Sequence, residues 1–405
     1  TLSSFNKTAY LEVIDAFSGE WNISDAFRLR ATASLTKRKT SSDHFVSPLS
    51  NQFYYYSGED ISKRGSYDYG ELDETAFDGN LILTFNKQIV NHFFNLAAGS
   101  NIRTSVFDYR EINAIGFSND RFTSIGFSKS YKENAHPISQ YDQDRLFGAF
   151  LSGNYSFRNK YLLDVSARLD GSSKFGKDNR VAPFWALGIG WNIHKEDFLA
   201  NTAVSQLKLR ASTGLTGAVS FPPYLSKTMY GYFTDSWYST GVGAGVSSYG
   251  NEDLQWQRTR NYDIGLDLGL FNDRLLISPR YYYKLTTDLL ADIVLPPSTG
   301  FSFYKENLGD MVNRGLEINL KYEVLRGRNY SVSLNGNLAH NTNVIKRISN
   351  ALTEYNKGAD NDQTKPENVG MPLLRFKEGQ SLNTIYAVRS LGIDPENGKE
   401  LFINR

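Results

Sequence analysis

The 405-residue chain carries 44 Lys plus Arg against 43 Asp plus Glu, a formal net charge of +1, and no cysteine. This balance leaves no electrostatic footprint for nucleic acid, and the lack of cysteine excludes disulfides, thiolate metal sites and a cysteine nucleophile. Aromatics reach 14%, with 25 Tyr and 26 Phe, yet there is no uncharged apolar run of about 18 residues, so a helix cannot cross a bilayer and only a closed ring of strands can.

The opening residues Thr1, Leu2, Ser3 and Ser4 show neither the basic nor the apolar region of a signal peptide. From there on, alternation at a period of two dominates the chain. It predicts twelve strands, at 8–21, 27–38, 73–85, 92–103, 145–157, 161–170, 181–193, 205–215, 259–270, 275–286, 312–324 and 330–341. Tyr161, Leu163, Val165, Ala167 and Leu169 alternate with Asp164, Ser166, Arg168 and Asp170. Tyr262, Ile264, Leu266 and Leu268 face away from Asp263 and Asp267, and Leu316, Ile318 and Leu320 face away from Glu317, Asn319 and Lys321. A helix would scatter both sets around its circumference.

Strand length and loop length point to a bilayer. Many segments alternate over ten or more positions, whereas soluble strands run about 5–6 residues and membrane-crossing ones about 9–11. Aromatics cluster near strand ends, as at Trp185, Trp191, Tyr281 and Tyr283, where interfacial girdles belong. Every second connection is short, and the others are long, at 39–72, 104–144, 216–258, 287–311 and 342–385, with a shorter one at 171–180. That segregation suits an outer-membrane barrel. The expected fold is therefore an all-β antiparallel transmembrane barrel segment over 1–405. Asp164, Arg168, Asp263, Asp267, Glu317 and Lys321 are expected to face its lumen.

Motifs that carry chemistry are scarce. The histidines at 44, 92, 136, 194 and 340 lack metal-ligand spacing. Gly241-Val242-Gly243-Ala244-Gly245-Val246 lacks the final glycine and the following helix of a dinucleotide loop, and reads as a flexible outer loop. Asp142 with Asp144, and Asp360 with Asp362, offer too few oxygens for calcium and read as solvated charge. No catalytic group, metal or cofactor is expected. The segment 216–258 is rich in aromatics, and Tyr224, Tyr230, Tyr232, Trp237 and Tyr238 could stack on a sugar ring or a peptide, or pack against rim, plug or lid.

Several segments resemble the SusC/RagA family of TonB-dependent transporters, of the Bacteroidetes type. Arg168–Gly176 (RLDGSSKFG), followed by Pro183, Trp185 and Gly190-Trp191-Asn192-Ile193, is similar to its R-x-D-G-S-S-x-F-G stretch and the G-W-x-I beyond it. Asn251–Gln257 (NEDLQWQ) is similar to N-x-D-L-x-W-E, with Gln at the last place. Asn261–Asp267 (NYDIGLD), Tyr281–Lys284 (YYYK), Leu295–Phe301 (LPPSTGF), Asn313–Glu317 (NRGLE), Gly379–Asn383 (GQSLN) and Gly392–Pro395 (GIDP) follow in the family's order. The resemblance implies part of a 22-stranded outer-membrane barrel, with the plug domain outside this chain. It also implies a SusD-like surface lipoprotein as lid, the TonB–ExbB–ExbD complex as energy source, outer-membrane lipids around the wall, and oligosaccharides or peptides as substrate. A SusC-like barrel serving as a non-transporting scaffold is the alternative.

Overall fold

The computed structural model describes residues 3–132, 136–200, 202–219, 221–294, 303–307, 309–365, 375–385 and 390–402. Twelve long strands carry the chain: β1 Phe5–Asn22, β2 Phe27–Val46, β3 Ser66–Ile89, β4 His92–Ile115, β5 Ile138–Phe157, β6 Tyr161–Ser172, β7 Val181–Asn192, β8 Val204–Ala218, β9 Gln257–Leu270, β10 Leu275–Thr287, β11 Gly309–Arg326 and β12 Ser331–Ile348. They fall into two compact units, Thr1–Tyr155 with Val165–Phe184 and Phe221–Ser226, and Ser156–Asp164 with Trp185–Ser220 and Lys227–Arg405.

In the first unit β1, β2, β3 and β4 pair antiparallel in chain order without a break in register. β3 and β4 each run for 24 residues, about twice what a tilted strand needs to cross a bilayer. The expected loops 39–72 and 104–144 are accordingly shorter than the sequence suggests, because the ladder continues to Val46, resumes at Ser66, and reaches Ile115. A small core closes the far end of these strands. Phe45, Tyr67, Ala114 and Phe117 are buried there, with Phe5, Tyr69 and Ile125 packed against them. The Phe45 and Phe117 rings meet edge-on at 5.1 Å.

In the second unit β7 to β12 form an antiparallel meander, each strand beside the next in sequence. The expected loop 216–258 contains a hairpin, Met229–Tyr238 paired with Gly241–Ser248, so the glycine-rich stretch is a strand rather than a flexible loop. The Phe233 ring lies over Gly245 and the Tyr238 ring over Gly243, each within 2.7 Å of where a Cβ would stand, and the glycines are what admit those rings. A second hairpin, Leu290–Val294 with Phe303–Asn307, occupies the expected loop 287–311. The Leu295–Phe301 motif lies outside the described residues. The segment after Ile348, expected as loop, is helix α1, Asn350–Gln363, because Ser349 Oγ accepts from Leu352 N as its cap. Leu352 and Ala359 are buried along it.

Short connections reverse the chain tightly. Arg158 and Asn159 take φ of 53° and 54°, and Asn272 and Asp273 take 56° and 61°. Asn and Asp tolerate this left-handed region better than most residues.

Candidate functional site: the two faces of the sheet

Alternation sorts the side chains by face. Ile264 pairs with Tyr281, and Tyr281 with Leu316, and these three apolar side chains are 51%, 46% and 43% exposed. Val165, Leu169, Ile189 and Leu338 are exposed too, whereas the fully buried large side chains among the described residues are Phe45, Phe175 and Leu254. Water would oppose so much uncovered apolar surface on regular strands.

The other face carries the polar partners. Arg280 Nε donates to Asp263 Oδ2 at 2.5 Å, and Arg280 Nη1 lies 3.6 Å from Glu317 Oε2. Arg210 Nε approaches Asp267 Oδ2 at 3.4 Å, with the guanidinium lying over Gly265. Asp164, Lys208, Arg210 and Asp263 line a cavity of about 200 Å³ whose floor is Gly188 and Gly190. Lys321 borders a second, of about 500 Å³, with Asn319, Asn335 and Asn337. In the first unit Arg168 donates to Asp170 Oδ1 and Asn101 Oδ1 at 2.5 and 2.7 Å. Of the six residues expected toward the lumen, Asp164, Arg168, Asp263, Asp267 and Glu317 thus meet an opposite charge or line a cavity with one, and Lys321 lines a cavity with amides. Arg210, Arg280 and Asn101 belong to no motif; their one signal in the sequence is position, on the polar register of strands whose apolar register is plain.

The expected aromatic set is divided between the units. Tyr224, at φ 69° in a turn of the first unit, accepts a hydrogen bond from Gln143 N at 3.0 Å. Tyr230 and Tyr232, on the outer hairpin, share one strand face and are 68% and 75% exposed, and Tyr238, with its ring edge over Gly243, is 61% exposed. Trp237 stands opposite Val242 in that hairpin. Among the described residues no three His, Asp or Glu side chains gather to hold a metal.

On the short-connection side one residue organises an interface that the sequence does not reveal. Glu196, in the turn after β7, accepts from Lys160 Nζ at 2.9 Å, Tyr161 Oη at 2.9 Å and Trp191 Nε1 at 3.1 Å. Tyr161 and Trp191 stack at 6.3 Å. The hydrogen bond from Lys160, then those from Trp191 and Tyr161, push the Glu196 carboxyl down to about 2. A carboxyl lowered on folding contributes stability above its ordinary value of 4.5 and loses it as pH falls toward 2. Trp191 fluorescence is therefore expected to shift between pH 4.5 and 2 in the native protein, and Glu196→Gln to abolish that shift. A shift that survives the substitution would remove Glu196 as its source.

Residues 5–384 match the family described as TonB dependent receptor-like, beta-barrel. The chain belongs to that family. It is 31% identical over 330 residues to TonB-dependent receptor P39 of Formosa agariphila, covering 81% of this chain and 29% of that one. It is 27% identical to TonB-dependent receptor SusC of Bacteroides thetaiotaomicron, over 93% of this chain and 40% of the relative. A solved structure of the RagAB peptide transporter superposes with a TM-score of 0.83 at 21% identity, covering 99% of this chain and 42% of that chain. The chain thus spans well under half the length of these relatives, and the SusC/RagA resemblance of its motifs holds. The family is one of receptors and not of enzymes.

The receptor-family motifs have structural work of their own. In RLDGSS, Ser173 Oγ accepts from Arg145 N at 2.9 Å and Ser173 N donates to Arg145 O at 3.0 Å, tying the turn to β5. Phe175 in the same motif is fully buried, edge-on to Phe221 at 5.2 Å. In NEDLQW, Leu254 and Trp256 are buried and Asn251 Nδ2 donates to Lys305 O at 3.0 Å, pinning the segment to the second outer hairpin.

Proposed function

We propose that this chain is the wall of an outer-membrane TonB-dependent importer for oligosaccharides or peptides, working with a SusD-like lipoprotein lid and powered through a plug domain that lies outside this chain. What supports this most is the pairing of an exposed apolar face with an ion-paired polar face on strands long enough to cross a bilayer. In this reading Asp164, Arg168, Asp263, Asp267, Glu317 and Lys321 line the conduit, and lipid covers Ile264, Tyr281 and Leu316. Tyr230 and Tyr232 present rings to ligand or lid. RagAB, named as a peptide transporter, favours peptides among the two substrate classes.

The chain has no cysteine, so an introduced one is unique within this part of the wall. In the full-length protein reconstituted in vesicles, Glu317→Cys is expected to react with a charged, water-soluble maleimide, and Leu316→Cys to resist it. Equal labelling at both positions would refute the assignment of faces. Energy-dependent uptake of a labelled oligopeptide, measured beside it, separates an importer from a scaffold that moves nothing.

A further inference from the structure

Beyond the ends of β2, β3 and β4 the first unit carries an open cavity of about 480 Å³, with Leu49, Ile61, Arg64, Phe117, Phe127 and Lys129 in its wall. Its size falls within the range of small-molecule sites. The wall is built rather than incidental. Phe117 N donates to Arg64 O at 2.8 Å, Gly116 N to Gly65 O at 3.1 Å, and Lys129 N to the carbonyls of Ile115 and Gly116 at 3.0 Å. Gly116, at φ +86°, leaves a Cβ only 2.6 Å from Ser62 O and 2.7 Å from Lys129 Cβ, so the close approach of these segments requires glycine.

The charges in this wall are of one sign. Among the described residues Arg64 and Lys129 line the cavity and no carboxylate does. Lys129 Nζ donates to the neutral Ser62 Oγ at 2.7 Å. Arg64 gives one Nη to Tyr56 O at 2.5 Å, and its Nε is buried with no hydrogen-bond partner. The neighbouring Asp60 is engaged by Lys63 at 2.9 Å. Two cations lining one cavity with no carboxylate among its lining residues favour an oxyanion, and a planar guanidinium suits a carboxylate. Beside them Leu49, Ile61 and Phe127 are 63%, 52% and 55% exposed, with Phe122 stacked on Phe127 at 4.9 Å. Large apolar side chains held open to solvent around a charged centre mark a binding surface.

We infer that this cavity binds a carboxylate attached to an apolar group, the carboxylate on Arg64 and Lys129 and the apolar part against Phe127, Leu49 and Ile61. A peptide ending in an apolar residue and a free aromatic acid both present this chemistry. The inference stands apart from import: the cavity can fill or fail to fill whether or not the wall conducts.

Calorimetry on the full-length protein in detergent tests it, with 3-phenylpropionate, its amide, galacturonate and N-acetylglycylphenylalanine as probes. The aromatic acid is expected to bind at least about tenfold more tightly than its amide, since a charge-assisted contact carries roughly that factor, and more tightly than galacturonate. Lys129→Gln, which keeps a donor for Ser62, is expected to weaken the acid by about the same factor and leave the amide unchanged. Lys63→Gln, at a lysine that pairs with Asp60, is expected to change neither. Tighter binding of the acyl dipeptide than of the simple acid assigns the site to peptide ends, and equal binding assigns it to free acids. Equal affinity for acid and amide in the native protein, or an unchanged acid affinity in Lys129→Gln, would overturn the inference.

Discussion

Ile264→Arg is expected to destabilise the membrane-inserted protein by about 2–4 kcal/mol, the cost of an arginine near the middle of a lipid-facing strand. Asn319→Arg is expected to cost less than about 1 kcal/mol, in the range of an ordinary surface substitution. Ile264 stands half-way along β9, on the exposed register that continues through Tyr281 and Leu316. Asn319 is on the polar register of β11 and is also exposed. Both introduce the same charge at an exposed position, so the difference isolates what covers each face. Hydrocarbon cannot solvate a guanidinium, and water can. Urea unfolding in phospholipid vesicles reads both costs, and similar values would mean that one solvent covers both faces.

The same physics explains why the strands are readable from sequence. Under the proposed assignment of faces, hydrocarbon on one side and water on the other force period-two alternation, as Tyr161 to Asp170 display. Where both faces meet water that contrast disappears. The run from Lys39 to His44 is wholly polar and reads as loop, yet it is strand. Its register with β1 and β3 is held by backbone bonds and by cross-strand pairs such as Arg38 with Glu12 at 2.9 Å and Lys39 with Glu71 at 3.0 Å. The hairpin at Met229 and the helix after Ser349 escape a sequence reading for another reason. Each is a short element inside a long polar segment, with one cap or a pair of glycines as its only local signal.

The polar site is half legible. Alternation places Asp263 and Glu317 on one face, but not Arg280 between them, because that depends on the register of three strands. Glu196 is invisible, since two of its three partners, Lys160 and Tyr161, stand 36 and 35 residues before it, in a different hairpin connection and at the start of β6. The SusC-type motifs are informative for a physical reason: RLDGSSKFG buries Phe175, and NEDLQW buries Leu254 and Trp256. The aromatic loop residues have no comparable constraint, and composition accordingly groups Tyr224 with Tyr232 although they lie in different units.

Arg280→Met tests whether that charged face is held by its ion pairs. The substitution leaves Asp263 and Glu317 facing each other without the cation between them, and is expected to destabilise by about 1–2 kcal/mol. That is the lower part of the range for a charged hydrogen bond, because the guanidinium is 42% exposed and solvent screens it. Asp263→Asn alone removes one charge and keeps an acceptor, so it should cost less. In the double variant the asparagine no longer repels Glu317. Its cost is therefore expected to fall short of the sum of the single costs by about 0.5 kcal/mol or more, the threshold above which neighbouring residues count as coupled. Additive costs would mean that Arg280 and Asp263 do not act on each other, and the polar face would then be a surface that tolerates charge rather than one organised by it.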